Sequence, residues 1–405
     1  MKPTTCSENP TIFDQAAAVF SGWKDPETGA RVLRIIPKNI KHTPGCLSTC
    51  YHQHPCFLEG GRKVMLRGTA PVLPGASSTC VVDLSTGLAE PILTPTMHVK
   101  EVIDSTRMAV GYTHGSGTRA FIWDLRAGRE LASMEIGDWI LNSINFLSDG
   151  LRAMVFLHKG HPYAEKVHSR HYLLAPGEKP RLTLDLDRHF CSHIVGCPID
   201  KDLYTYDRWL SPPGHLDQAI TIRSLDGSFE EPVKLDANAG RPGNMWGCRD
   251  HYVWTPDGKR IVSYYCPKPI TFNPLMKDNP EFNHFKLEWW LSALDWRTGN
   301  DLAACYPTDR WNGHMQVTPD SRYIVCGGYG YNKMLAIDIE ALRNGWNEKV
   351  ICSFPAIEST GQNHGPFPYP FVLPDYSGVL FNAGWPGPDH GVYLAEWPAG
   401  IERAM

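Results

Sequence analysis

Histidines recur at one fixed place in a repeated pattern of this sequence. Counting back five residues from each turn proline, or from its equivalent, reaches His54, His98, Ser143, His193, His251, His314 and Tyr369. The chain has 17 histidines in 405 residues, so chance placement explains this register poorly. Imidazole binds divalent metals and acts as a general base near neutral pH. The pattern therefore predicts a site for metal binding or proton transfer.

The element that carries each histidine is a strand, a tight turn and a second strand. The pattern is clearest in VWTPDGKRIVSYY (253–265) and returns in QVTPDSRYIVCGG (316–328) and FVLPDYSGVLFNAG (371–384). A second hairpin, such as AFIWDLRAGRELAS, follows most of these units. Seven units of about four strands each, at a spacing of roughly 40–60 residues, are typical of a β-propeller.

The sequence therefore predicts an all-β fold, a seven-bladed β-propeller that occupies residues 1–405 as one domain. The approximate blades are 51–94, 96–135, 141–184, 189–236, 248–307, 311–355 and 366–400. The last unit is one strand short, so we expect residues 30–37 to supply that strand and close the ring. Closure also removes an exposed sheet edge. The equivalent histidines of the blades would then converge on one mouth of the central channel.

Composition limits the classes of partner. The net charge is −4 and the sequence pI is about 6.5, which predicts no binding to nucleic acid or to an anionic membrane. No apolar run is long enough for a membrane-spanning helix. No secretory leader is visible, so we expect a cytoplasmic protein, or a secreted one if a leader was removed. The 12 cysteines are scattered, which favours buried free thiols over disulfides.

Further polar residues lie close to the histidine register. Arg249 and Arg310 precede His251 and His314, and Arg208 ends a predicted strand. Guanidinium groups bind carboxylates with two parallel hydrogen bonds, so these arginines suit an acidic ligand. The proline-rich stretch STGQNHGPFPYPF (359–371) adds Gln362 and His364 as candidate metal ligands.

These motifs together resemble those of a known family. The N-terminal GWKDPETGARVLRIIP, the repeated H…PDG units, GHMQVTPDS and the closing PFVLPDYSGVLFNAG…GVYLAEWP are similar to the oligogalacturonate lyases, across nearly the whole chain. Members of that family are seven-bladed propellers that depend on manganese or a similar divalent ion. The resemblance implies a lyase that acts on a uronic acid sugar and identifies this chain as a divergent member.

The resemblance also assigns roles to individual residues. The family's catalytic base falls on His251, in the sequence HYVWTPDG, and one metal-binding histidine falls on His314. The remaining metal ligands fall on Gln362 and His364, whereas Tyr369 stands where the family has another histidine. An arginine that the family uses corresponds to Ala219, so Arg208 or Arg249 would have to replace it.

The predicted reaction is β-elimination on a uronate-containing sugar chain. His251 would take the C5 proton, with His193 and Arg208 beside it as further catalytic residues. His54, His98, Arg249, Arg310 and Tyr369 would contact the substrate, an acidic oligosaccharide or polysaccharide. His314, His364 and Gln362 would hold a divalent metal, Mn²⁺ first, with Ca²⁺ or Zn²⁺ as alternatives. The protein would act as a monomer or a homodimer.

Two other functions fit the same sequence. A propeller glycoside hydrolase would need paired carboxylates at the mouth, for which Asp207, Asp250 and Glu288 are candidates. A propeller that only binds protein or sugar would need no metal and would tolerate the loss of single histidines. Product analysis separates the first alternative from a lyase, and substitution of the histidines separates the second.

Overall fold

Seven antiparallel sheets form the body of the computed structural model. The structure describes residues 9–41, 46–68, 73, 78–94, 96–113, 118–160, 167–187, 189–209, 218–233, 249–265, 289–307, 314–327, 332–355, 368–384 and 388–402. In six sheets the strands follow one another in chain order, and the seventh joins the two ends of the chain. The predicted all-β, seven-bladed propeller is confirmed.

The first three blades contain the strands β3 to β15. Blade 1 has β3 (Leu47–Ser48), β4 (Phe57–Leu58), β5 (Lys63–Gly68), β6 (Thr79–Asp83) and β7 (Ala89–Pro91). Blade 2 has β8 (Met97–Ile103), β9 (Met108–Thr113), β10 (Arg119–Asp124) and β11 (Arg129–Glu135). Blade 3 has β12 (Ile140–Phe146), β13 (Ala153–Lys159), β14 (His168–Leu174) and β15 (Arg181–Asp187).

The next three blades contain the strands β16 to β27. Blade 4 has β16 (Cys191–Gly196), β17 (Leu203–Trp209), β18 (Gln218–Ser224) and β19 (Glu230–Pro232). Blade 5 has β20 (Arg249–Trp254), β21 (Arg260–Tyr265), β22 (Trp290–Asp295) and β23 (Asp301–Cys305). Blade 6 has β24 (Met315–Val317), β25 (Tyr323–Gly327), β26 (Lys333–Asp338) and β27 (Glu348–Ser353).

Blade 7 closes the ring with strands from both ends of the chain. It contains β1 (Gly22–Lys24), β2 (Arg31–Arg34), β28 (Phe371–Val372), β29 (Gly378–Ala383) and β30 (Gly391–Glu396). The strand β2 pairs with β30, as the sequence predicts, and β1 adds a fifth strand outside it. The side chain of Arg31 strengthens this junction with a bidentate contact to Glu396, through Nε at 2.9 Å and Nη2 at 2.7 Å.

Helices are short in the described part of the chain. The helix α1 (Ile12–Ala17) begins at Thr11, whose hydroxyl accepts a hydrogen bond from the Asp14 amide. Its first amides bond to the β28–β29 turn, where the Ile12 amide lies 2.7 Å from the carboxylate of Asp375. Two 3-10 helices, Glu59–Gly61 and Glu340–Asn344, belong to loops. No helix among the described residues has the length and apolar character that a membrane crossing requires.

The repeated turn residues explain why each blade folds back on itself. In the outer hairpin of blade 5, the Asp295 carboxylate accepts hydrogen bonds from the Arg297 and Thr298 amides at 3.0 Å each. Gly299 follows with φ of +74°, a conformation that costs glycine little. This Asp turn recurs at Asp83 and Asp124. The recurring D-x-x-x-G motifs are therefore turn-forming signals.

The apolar core lies between neighbouring blades. Each buried cluster joins the facing sides of adjacent sheets; Val253 and Leu291 of blade 5, for example, pack with Met315 and Leu335 of blade 6. The nine cysteines in the described residues are thiols outside any disulfide, and all except Cys305 are buried. Because each blade buries its faces against the next, the inner strands are held side by side around the channel.

The closing strand offers a test of this architecture. Val32 of β2 is fully buried against blade 7, so Val32→Ala leaves a cavity and should lower the free energy of unfolding by about 2 kcal/mol. Val350→Ala makes the same change on the outermost strand of blade 6, where the side chain is only partly buried, and should cost less. Chemical denaturation measures both; equal midpoints for the two variants would contradict a structural role for the closure.

Candidate active site

Irregular backbone at the start of the inner strands directs two histidines of the register. The pairing of β16 with β17 shifts between Ser192 and Val195, and that of β20 with β21 shifts between Asp250 and Val253. His193 and His251 lie in these β-bulges with φ of +46° and +50°. A positive φ costs a non-glycine residue roughly 1–2 kcal/mol, and bulges often redirect side chains beside active sites. The fold therefore strains its backbone at the two histidines.

The bulges are held by hydrogen bonds from neighbouring segments. The Tyr252 hydroxyl donates to the main-chain carbonyl of His193, which ties blade 5 to blade 4. The Gln53 amide donates to the Tyr252 carbonyl at 2.6 Å. These bonds fix the conformation of both bulges, because a strained backbone persists only where its surroundings determine it.

Among the described residues, seven aromatic rings meet where the inner strands begin. We call these rings the mouth cluster: Tyr51, His52, His54, His193, His251, His314 and Tyr369. Ring centroids lie 4.3 Å apart for His251 and His314, 5.3 Å for His193 and His251, and 4.6 Å for His314 and Tyr369. The structure therefore brings together five of the seven positions of the register, from blades 1, 4, 5, 6 and 7.

Tyr51 lies at the centre of the mouth cluster. Its ring is 5.4 Å from those of His314 and Tyr369, and it stacks on His193 at 5.8 Å. Its hydroxyl lies 2.9 Å from Nε2 of His193. On the far side of that ring, Nδ1 lies 2.6 Å from a carboxylate oxygen of Asp207, whose side chain is 0% exposed. Asp207, His193 and Tyr51 thus form one hydrogen-bonded chain.

This chain suits proton transfer. The buried carboxylate fixes the orientation of the imidazole and stabilises its protonated form, as a carboxylate does for histidine in general acid–base catalysis. The side chain of His193 is 23% exposed, and His251 is also partly exposed. A bound molecule can therefore reach the side of the cluster that these two rings form.

Two other members of the mouth cluster, His52 and His54, are buried and neutral. Burial, with help from the neighbouring imidazoles, holds the pKa of His52 well below its usual value, and both ring nitrogens lack a hydrogen-bond partner among the described residues. Burial, then the charges of Arg67 and Lys100, likewise lower the pKa of His54. Nδ1 of His54 lies 3.0 Å from the amide of Asn145.

A buried carboxyl group lies behind His54. The Glu101 carboxyl is 3.7 Å from Nδ1 of His54 and accepts a hydrogen bond from the Phe146 amide at 3.1 Å. Burial raises the pKa of Glu101 well above its usual value, although its hydrogen bonds act in the opposite direction. Burial thus favours the uncharged form of both groups.

His98 lies outside the mouth cluster. Its described contacts are the Ser78 hydroxyl, 3.2 Å from Nδ1, and the ring of Tyr112, stacked at 5.3 Å. The strand pairing explains this placement, because the bulge of β8 falls between Val99 and Glu101. Counted from the turn, the position equivalent to His251 is therefore Val99, a buried core residue, and His98 is one residue too early.

The predicted arginines have different surroundings. Arg208 of β17 lies 4.0 Å from Glu230, on the outermost strand of its own blade, and its Nε is buried without a hydrogen-bond partner in the described structure. Ala219 of β18 pairs with Arg208 in the sheet. Arg249 begins β20, but its side chain lies outside the described part of the structure. The whole of Arg310 lies outside it.

The predicted metal site is only partly described. His314 is buried in the mouth cluster, whereas Gln362 and His364 lie outside the described residues. Within the described residues, no group of three or more His, Cys, Asp or Glu side chains is arranged to hold a metal. The described residues therefore do not fit a metal by themselves. The predicted ligand set stays a prediction.

The register identified neither Tyr51 nor His52. Both lie in the segment between β3 and β4, three and two residues before His54, where no repeat marks them. The sequence YHQH (51–54) does show three polar aromatic residues within four positions. That local density is the one signal in the sequence that indicates them.

Comparison with solved structures places the fold. An oligogalacturonate lyase in complex with manganese has a TM-score of 0.69 and 17% identity, over 94% of this chain and 97% of that one. An oligogalacturonate lyase from Vibrio parahaemolyticus has a TM-score of 0.69 and 16% identity, over 95% and 98%. The hydrazine synthase of Kuenenia stuttgartiensis is more distant, with a TM-score of 0.52 and 13% identity.

The resemblance seen in the sequence is therefore confirmed at the level of the fold, which extends over nearly the whole of these lyases. Identities below a fifth show the fold alone. No family model matches the chain, and no curated protein matches it.

Burial of a neutral histidine makes stability depend on pH. His52 has a folded-state pKa well below its unfolded value, so the unfolded chain binds the proton more readily below about pH 6.5. The stability gained from a neutral His52 is thus present above that pH and is lost as the pH falls. The free energy of unfolding of His52→Leu, taken relative to that of wild type, should therefore be about 2 kcal/mol higher at pH 5 than at pH 7.

Denaturant unfolding of both proteins at the two pH values measures this difference. Glu101 has the opposite pH dependence, but it is present in both proteins and cancels in the comparison. Parallel stability curves would contradict a buried, neutral His52.

Proposed function

We propose that the protein is a carbon–oxygen lyase that cleaves a uronate-containing oligosaccharide by β-elimination. The observation that carries the proposal is the Asp207–His193–Tyr51 chain beside His251, on the accessible side of the mouth cluster. The likeness in fold to two oligogalacturonate lyases supports the same reaction class. The proposal treats residues 1–405 as one domain with an acidic oligosaccharide as its partner.

The first step is removal of the proton from C5 of the uronate. This proton is weakly acidic because it lies next to the carboxylate, and a neutral imidazole can accept it. His251 is the proposed base, because its ring is partly exposed and lies within 5.3 Å of the ring of His193. The bulge in β20 fixes its position before substrate arrives.

The second step is departure of the sugar oxygen O4, which needs a proton as its bond to C4 breaks. When His193 is protonated, its Nε2 donates to the Tyr51 oxygen, and the Tyr51 hydroxyl is then available to O4. Tyr51 gives its proton to O4 and regains one from His193, which returns to the neutral form against Asp207. The electron pair from the C5–H bond becomes the C4–C5 double bond.

The substrate carboxylate must be neutralised as negative charge develops on it. We propose a divalent cation for this role, Mn²⁺ first, with His314, Gln362 and His364 as ligands. The support is the manganese complex of the structurally similar lyase. When bound, the cation would withdraw charge from the carboxylate. Arg208 and Arg249 are the arginines that we propose on the same side of the substrate.

A glycoside hydrolase fits the described residues less well. Retaining and inverting hydrolases place two carboxyl groups on either side of the scissile bond. Asp207 has a fully buried side chain and bonds to His193, so it is not presented to a ligand. The side chains of Asp250 and Glu288 lie outside the described residues.

Loss of the base should abolish elimination. His251→Ala should lower kcat/KM by a factor of about 100 to 10,000, because a positioned general base contributes on that order. The assay follows ultraviolet absorbance of the new double bond with oligomers of galacturonate, glucuronate, mannuronate and guluronate. His168→Ala, at the half-exposed outer part of blade 3, is the control and should keep full activity. Unchanged elimination in His251→Ala would rule out this base.

Disruption of the proton relay should affect turnover more than binding. Tyr51→Phe removes the proton donor and keeps the ring, so kcat should fall at least tenfold while KM changes little. Asp207→Asn keeps the shape but removes the charge that stabilises protonated His193, so the alkaline limb of the pH–rate profile should move to lower pH. If Tyr51→Phe retains wild-type kcat, or Asp207→Asn leaves the pH profile unchanged, the relay is wrong.

A further inference from the structure

Two positive side chains lie together next to the mouth cluster. Arg67 is near the end of β5, and Lys100 is the extra residue in the bulge of β8 between Val99 and Glu101. The Arg67 guanidinium donates to the main-chain carbonyl of Lys100 at 3.4 Å. Both side chains are half-buried, so a bound ligand can reach them.

Neither cation has an acidic partner within the described part of the chain. Arg67 has no ion pair there, and its Nε is buried without a hydrogen-bond partner. The Lys100 ammonium lies 5.2 Å from the centre of the Tyr112 ring, a contact that brings no negative charge. Burial, and then the charge of Arg67, lower the pKa of Lys100 to about 8. Two positively charged side chains are thus adjacent and partly buried.

The acidic residue that follows Lys100 in the sequence has other partners. Glu101 follows Lys100 in β8, but its carboxyl contacts other groups. Its carboxyl faces His54 and the Phe146 amide, and burial raises its pKa and so favours its uncharged form. A pair of cations with no counter-charge among the described residues is a favourable place for an anion from outside.

The pair lies beside the segment that carries Tyr51, because Arg67 pairs with Ser48 of β3, three residues before Tyr51. Arg67 and Lys100 both contribute to lowering the pKa of His54, after burial, and Arg67 acts in the same direction on Tyr369. The rings of His54 and Tyr369 lie 5.8 Å and 5.4 Å from that of Tyr51. The pair therefore borders the blade 1 side of the cluster, away from His251 in blade 5.

We propose that Arg67 and Lys100 form a second subsite, which binds the carboxylate of the uronate unit next to the one that is cleaved. This inference rests on the proposed function and narrows its substrate to oligomers with at least two uronates. The guanidinium of Arg67 offers a planar pair of donors that matches a carboxylate, and Lys100 adds charge. A single uronate would leave the subsite empty.

Binding of a triuronate measures this subsite directly. The probes are trimers of galacturonate, glucuronate, mannuronate and guluronate, with a carboxyl-reduced neutral trimer as the ligand control. Titration calorimetry uses His251→Ala as background so that no probe is consumed. Arg67→Gln and Lys100→Gln should each raise the Kd of the binding triuronate at least tenfold, and its salt dependence should weaken. Arg126→Gln and Lys201→Gln remove the same charges at exposed positions and should change little.

A second measurement needs no substitution at the subsite. The ammonium of Lys100, followed by NMR of carbon-labelled methylated lysines, should gain a higher pKa when the triuronate binds, because an adjacent anion favours the charged form. The neutral trimer should leave that pKa unchanged. A Lys100 signal that does not respond to the binding triuronate would overturn the subsite.

The outcomes separate this inference from the proposed function. If elimination occurs but Arg67→Gln and Lys100→Gln bind the triuronate like the controls, the subsite is wrong and the lyase stands. If no trimer is cleaved but binding depends on both cations, Arg67 and Lys100 stand as a carboxylate-binding site and the lyase fails. If no triuronate binds, the subsite is overturned.

Discussion

Closure of the ring by β2 against β30 is the constraint on which the site depends. Each inner strand can direct a side chain to the channel mouth only if all seven blades keep their places around one axis. The two ends of the chain meet in blade 7, where Val32 is buried and Arg31 holds Glu396. Mouth-cluster residues from blade 1 and blade 7, such as Tyr51 and Tyr369, are neighbours because of this junction.

Burial divides the mouth cluster into two electrostatic parts. His52 and His54 are buried and neutral, and they provide apolar packing between the inner strands. His193 instead bonds to a buried carboxylate, which makes a protonated imidazole stable at a partly exposed position. One fold thus places similar side chains in contrasting surroundings, and only the second kind suits proton transfer.

The sequence predicted the architecture because its repeat combines turn chemistry with alternating apolar residues. Turn residues such as Asp295 and Gly299 indicate where each hairpin reverses. The same count placed His193, His251 and His314 together. It misplaced His98 by one residue, because no proline marks the turn of blade 2. Ile103 is still paired with Met108 in the sheet, so the turn begins one residue later than the count assumed.

The remaining parts of the site depend on contacts between distant segments. Tyr51 reaches His193 across 142 positions of the chain, and no repeat marks it. Arg67 and Lys100 lie in different blades and meet only in the folded chain. In the sequence, each one alone indicates an ordinary surface cation. Asp207 reaches His193 because β16 pairs with β17. Sequence patterns do not specify that pairing residue by residue.

The central claim is that the mouth cluster performs elimination without the addition of water. The most direct measurement is mass spectrometry of the products formed from uronate oligomers in water labelled with the heavy oxygen isotope. Elimination predicts an unsaturated product whose new end carries no label and lacks the mass of one water molecule. Products that carry the label, with no unsaturated sugar, would contradict the account and identify a hydrolase.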